Sequence, residues 1–121
     1  MAYVLTLTSE QAKVMDKAVE LLLRLKLGQY KELAWALMGA GTEDFAKKRD
    51  EAAPHLLYAF QTMSGKLFPG WDKDEEWFRL YDLHQVVRNA IHDAEHPGTI
   101  GVDSYPPICT AGEKLPEIKT I

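Results

Sequence analysis

"LYDLHQVVRNAIHDAEHPG" (residues 80–98) decides how this chain is read. His84, His92 and His96 lie in it, three of the four histidines in the chain. Trp77, Leu80, His84, Val87 and Ile91 recur at helical spacing and form a core stripe. Within that stripe His84 reads as a satisfied core histidine. Tyr81, Gln85, Arg88 and His92 recur on the adjoining face. They offer a ring to stack on, an amide, a fork of donors and an imidazole, a set that suits a planar or anionic ligand. These four are the candidate ligand-binding residues. The competing reading is a solvated face on which Arg88 pairs with Asp82 or Glu95. The spacing predicts a helix over about 74–96, stopped by Pro97-Gly98.

Upstream, "AYVLTLT" (2–8) alternates, with Tyr3, Leu5 and Leu7 opposite Val4, Thr6 and Thr8. That is the period of a half-buried strand. Thr8 and Gln11 have capping-box spacing, so a helix is expected from about Ser9. Its apolar stripe is Val14, Ala18, Leu21, Leu22 and Leu25, widened by Val19 and Leu23, and Gly28 ends it. "YKELAWALMG" (30–39) reads as a short second helix that "GAG" (39–41) breaks. Thr42 is placed to cap a third, and Pro54 to split that region and open a further helix. "FPGWDKDEE" (68–76) reads as a turn. Downstream, "TIGVD" (99–103) reads as a short strand pairing with the first, and 104–121 as an irregular tail. The expected fold is therefore α+β: one mostly helical domain over 1–121 with a two-stranded antiparallel ribbon from its N-terminal and C-terminal strands.

Several chemistries are weighed and set aside. His92 and His96 share a helix face, and "HDAEH" is a cousin of the His-Glu-x-x-His zinc signature. Pro97 follows at once, Asp93 is shorter than glutamate and no third ligand is placed, so no metal or cofactor is expected. Cys109 with His84 or His92 is the one thiol–imidazole pair available, but no small-residue elbow surrounds it, and it reads as a half-buried small apolar residue. "GAG" lacks the lysine of a phosphate loop. The chain is thus expected not to be an enzyme.

The 121 residues suit one modest core. Net charge is −4, which excludes the broad basic footprint of a duplex nucleic-acid binder but leaves room for a local basic pocket. The lone cysteine allows no internal disulfide, the start lacks a signal-peptide pattern, and "AVELLLRLKL" is too short and too charged to span a membrane. A cytoplasmic protein is expected. The width of the apolar surface on "AVELLLRLKL" points to a homo-oligomer.

Two stretches carry a resemblance. Gly28, Gln29 and Tyr30 form a Gly-Gln-aromatic break after the first helix. Tyr81, Asp82, Gln85, Val86 and Arg88 form a late Tyr-Asp-x-x-Gln-Val-x-Arg helix, and Pro107, Gly112, Glu113, Leu115, Pro116 and Ile118 a closing Gly-Glu-x-Leu-Pro-x-Ile tail. The pattern resembles a scattered group of small accessory proteins of tailed bacteriophages. The chain departs from it after Arg88, where "NAIHD" replaces a more basic and aromatic run. The resemblance implies a counter-defence protein of the host-cell cytoplasm that acts by binding. One version sequesters a nucleotide-type immune signal in a positive, aromatic-lined pocket built on Tyr81 and Arg88, with Lys31 or Arg79. The alternative binds and blocks a host protein, through a surface such as the acidic "DKDEEW" (72–77).

Overall fold

The computed structural model describes residues 1–38, 43–65 and 73–121. Among them the regular elements are α1 (Ser9–Lys26), α2 (Glu32–Met38), α3 (Glu43–Ser64), α4 (Glu75–Glu95) and a 3-10 turn at Val102–Ser104. The fold is all-helical, and the α+β expectation is corrected: no strand forms among the described residues. No helix among them is long and apolar enough to cross a membrane. The chain divides into two compact units, Met1–Glu20 with Phe78–Ile121, and Leu21–Trp77.

The ribbon fails at both of its intended strands. The alternation in 2–8 has no surface to bury against: Tyr3 and Val4 are 88% and 98% exposed. At the other end the Ser104 hydroxyl donates to the Gly101 carbonyl and accepts the Gly101 N–H, while the Ser104 N–H closes on the same carbonyl. The Asn89 amide donates to the carbonyls of Asp103 and Tyr105. The backbone groups that a ladder would need are thus satisfied locally or by α4.

Side chains of α4 organise the first unit. Val86 and Val87 are buried in its core, Val87 at 1% exposure. Replacing Val87 by alanine removes two buried methyl groups and leaves a cavity. The expected loss is about 2 kcal/mol of stability, read by denaturant unfolding.

The opposite ledge of α4 holds the C-terminal segment in an antiparallel course. Arg79 pairs with Glu113, Asp82 accepts the N–H groups of Thr110 and Ala111, and Gln85 brackets Ile108 with both ends of its amide (2.9 Å each). Asp82 and Gln85 are buried in doing so, at 3% and 6% exposure. The segment needs no secondary structure of its own because these side chains supply its hydrogen bonds.

Helix α1 starts as its sequence dictates. The Thr8 hydroxyl accepts the Gln11 N–H (3.1 Å), and Gln11 Oε1 accepts the Thr8 N–H (2.9 Å). It ends at Gly28, whose φ of 81° permits the left-handed turn, with the Gln29 N–H reaching the Arg24 carbonyl and the Gly28 N–H the Leu25 carbonyl. Its inward face keeps only part of the expected stripe, with Val19, Leu21, Leu23 and Leu25 turned inward and Val14, Ala18 and Leu22 outward. Leu23 is the buried residue of this helix, while Val14 and Leu22 are 69% and 42% exposed. Within the first unit, α1 turns Lys13 and Asp16 towards α4, where they pair with Glu95 and His84.

In the second unit the Trp77 indole N–H donates to the Leu23 carbonyl (3.3 Å), and Trp35 meets Phe45 edge to face at 5.5 Å. Arg49 lies 4.6 Å over the Trp35 ring. Asp74 caps α4 by accepting the Trp77 N–H (2.8 Å) and pairs with Lys26 (2.8 Å). The Lys26 hydrogen bond first, then the Trp77 N–H, holds the Asp74 carboxyl below its ordinary value. The stability this confers is present above the carboxylate range and is lost as pH falls through the depressed value.

The expected break at Pro54 does not occur, and α3 runs through it unbroken. Pro54 and Asp50, whose carbonyl loses its helical partner, are both exposed, so water can take the donor's place. Phe45 and Ala53, each 7% exposed, anchor the helix on its inner side. The "GAG" break, the Thr42 cap and most of the "FPGWDKDEE" turn lie outside the described residues.

Candidate functional site

The first unit carries a cleft of 270 Å³ between the first half of α1 and the last turns of α4. Lys13, Asp16, Lys17 and Glu20 line it from α1, an arc set by the i, i+3, i+4, i+7 spacing of one helix face. Arg88, Ile91, His92 and Glu95 line it from α4, with His96 and Asp103 beyond the helix end. Its volume lies just under the ordinary range of small-molecule sites, so it fits a phosphate, a carboxylate or the polar end of something larger.

Two of the four candidate ligand residues meet here, and two do not. Arg88 and His92 line the cleft. Gln85 faces the C-terminal segment, where Ile108 takes both ends of its amide. Tyr81 is half-buried and does not line the cleft. Arg79 pairs with Glu113 and Lys31 belongs to the other unit, so neither contributes.

Arg88 has the character of a binding residue. Its side chain is 26% exposed, and its one ionic partner among the described residues is Asp103, at a long 3.5 Å. Its Nε is buried without a hydrogen bond. Among the described residues the guanidinium makes no hydrogen bond at all, which leaves its terminal donors for an incoming acceptor. The expected pairing with Asp82 or Glu95 is absent: Asp82 serves Thr110 and Ala111, and Glu95 binds Lys13 at 2.7 Å. That bond first, then one to Glu10, raises the Lys13 ammonium above its ordinary value.

His92 is 11% exposed at its side chain. The Thr99 hydroxyl donates to the His96 carbonyl, so its oxygen accepts the Nε2 hydrogen of His92 (2.7 Å). This fastens the turn after α4, while Nδ1 is buried, makes no hydrogen bond among the described residues and lies 3.6 Å from Asp93 Oδ1. His92 and His96 have ring centroids 6.2 Å apart, with the Nε2 of His92 turned onto Thr99.

Beside the cleft lies a group that sequence reasoning missed. His84 Nδ1 sits 2.8 Å from Asp16 Oδ1, and one ligand-type atom from each of Asp16, Glu20 and His84 lies within 4.8 Å of the other two. The core position read for His84 holds, at 6% exposure, and Asp16 is the partner that satisfies it. The i, i+4 spacing of Asp16 and Glu20 was the available signal, and it is too common on helices to be decisive. Cys109 is exposed rather than half-buried, and its thiol donates to the Glu113 carbonyl. No protein-family model, curated protein or solved structure matches this chain.

Proposed function

We propose that this chain is a non-enzymatic binding protein that holds a small anionic ligand of nucleotide type in the cleft between α1 and α4. Arg88 is the central contact, with Lys17 and His92 beside it. The observation that supports this is the guanidinium itself. An arginine three-quarters buried that faces a cleft and makes no hydrogen bond among the described residues is poised for a phosphate or carboxylate, whose geometry its fork matches. The late-helix and tail motifs supply the setting: a phage accessory protein that counters host defence by sequestering a nucleotide immune signal in the host cytoplasm.

A second reading is favoured by a separate observation. Tyr3, Val4 and Leu5 are exposed in an extended segment, and Val14 and Leu22 are exposed on α1. Such apolar surface fits a protein partner, either a blocked host protein or a second copy of the chain. Self-association and ligand content are read together by native mass spectrometry of the purified protein. The expected result is a homo-oligomer, a dimer in the simplest case, carrying a nucleotide-sized mass. A 13.7 kDa species alone at on the order of tens of micromolar, free of ligand, would contradict both expectations.

A further inference from the structure

We propose that Asp103 sets the specificity of the cleft: it admits to Arg88 an oxyanion that carries a hydroxyl on the neighbouring carbon, and it turns away bare oxyanions. The inference rests on the reading of Arg88 as the anion contact and names the class of ligand that contact takes. Four carboxylates line the cleft, those of Asp16, Glu20, Glu95 and Asp103. Three are engaged: Asp16 with His84 at 2.8 Å, Glu95 with Lys13 at 2.7 Å, and Glu20 in an interaction of its own. The Asp103 carboxylate makes no hydrogen bond among the described residues and stands 3.5 Å from Arg88 Nε, a buried nitrogen that likewise makes none. A donor without an acceptor thus faces an acceptor without a donor. A carboxylate and a guanidinium that satisfy each other close to about 2.7–2.9 Å.

The turn that carries Asp103 is pinned to α4. Asn89 donates to the Asp103 carbonyl (3.2 Å), and the Ser104 N–H closes on the Gly101 carbonyl (3.1 Å). The carboxylate itself, on a side chain 51% exposed, can rotate, but the backbone keeps it beside Arg88. An oxyanion docked on Arg88 therefore meets a like charge, and a ligand that offers nothing else is weakened by the repulsion. A hydroxyl next to the oxyanion reverses the sign, because the carboxylate accepts its hydrogen. A ribonucleotide phosphorylated on its 3′ oxygen has this arrangement, with its 2′ hydroxyl on the adjacent carbon. Its 2′-deoxy analogue lacks only that donor. A site that hydrogen-bonds a hydroxyl rejects the analogue without it, since its own polar group is left unpaired.

The test is calorimetric titration of the full chain with sodium sulfate, adenosine 3′-monophosphate and 2′-deoxyadenosine 3′-monophosphate. The parent should bind the ribonucleotide about tenfold or more tighter than the deoxyribonucleotide, the low end for a hydrogen bond to a charged group. Asp103→Ala should narrow that preference to about twofold or less and tighten sulfate by about threefold or more, the gain from removing one like charge in a half-exposed setting. Arg88→Gln should abolish binding of all three probes. Melting curves check that each variant is folded. Should Asp103→Ala unfold, Asp103→Asn, which keeps the shape and removes the charge, still has to tighten sulfate. Equal affinity of the parent for the two nucleotides, or a sulfate affinity unmoved by loss of the Asp103 charge, overturns the inference and leaves Arg88 as the anion contact. If none of the probes binds the parent, or if binding survives Arg88→Gln, the reading of Arg88 falls and the inference with it.

Discussion

Replacing Asp82 by alanine should release the C-terminal segment and cost the protein at least about 3 kcal/mol of stability. The carboxylate is 3% exposed and accepts the Thr110 N–H, the Ala111 N–H and the Thr110 hydroxyl. Each hydrogen bond to a charged group contributes about 1.5–3 kcal/mol, and the three share one acceptor, so their sum is an upper limit. Alanine leaves two backbone donors without a partner in a half-buried setting. Neighbouring contacts weaken too, because Gln85 and Arg79 hold the same segment at Ile108 and Glu113. Two measurements check this. The thermal midpoint should fall by on the order of 10 °C. Limited proteolysis should cut beyond about residue 104 while leaving the helices intact. An unchanged digestion pattern would mean that the segment is anchored by Leu115 and Pro116, both half-buried, rather than by Asp82. Asp82→Asn should be milder, since the amide oxygen still accepts one N–H.

Arg88→Lys should leave the thermal midpoint nearly unchanged and weaken ligand binding by about 1.5–3 kcal/mol, the range for a hydrogen bond to a charged group. Lysine keeps the charge and the reach but loses the planar fork, so it separates charge from geometry. Stability should hold because Arg88 makes no hydrogen bond among the described residues and meets Asp103 only at 3.5 Å. The measurement is titration calorimetry with a nucleotide that native mass spectrometry identifies on the parent protein, beside a melting curve of the same sample. Val87, one position earlier, is the contrast: its alanine variant should melt early yet bind normally per folded molecule. Should Arg88→Lys unfold the protein, Arg88 is a structural partner of Asp103. Should neither property move, it is a solvated charge. Either result favours the protein-blocking reading.

The resemblance and the fold meet at one point. Asp82 and Gln85 belong to the late-helix pattern, and Gly112 and Glu113 to the closing tail. In space Asp82 holds Thr110 and Ala111 and Gln85 holds Ile108, positions that stand beside those tail residues rather than among them. Of the four candidates on α4, Arg88 and His92 are the two that line the cleft.

Local chemistry was readable from the chain alone. The Thr8–Gln11 cap, the Gly28 ending, the extent of α4 and the buried placing of Trp77, His84 and Val87 all depend on residues within a turn or two of each other. Spacing carries that information directly. What depended on distant partners was not readable. Alternation in 2–8 marks a strand only if a second strand is free to pair, and Ser104 and Asn89 had already taken the backbone groups it needed. Pro54 breaks a helix only if a flank can leave, and Phe45 and Ala53 hold the turns before it. On α1 the stripe held at Leu23 but not at Val14 and Leu22, and the contacts of Asp16 with His84 and of Lys13 with Glu95, more than 60 residues away along the chain, could not be read from spacing. A sequence states what each residue offers, and only the tertiary structure brings it the partner that decides whether the offer is used.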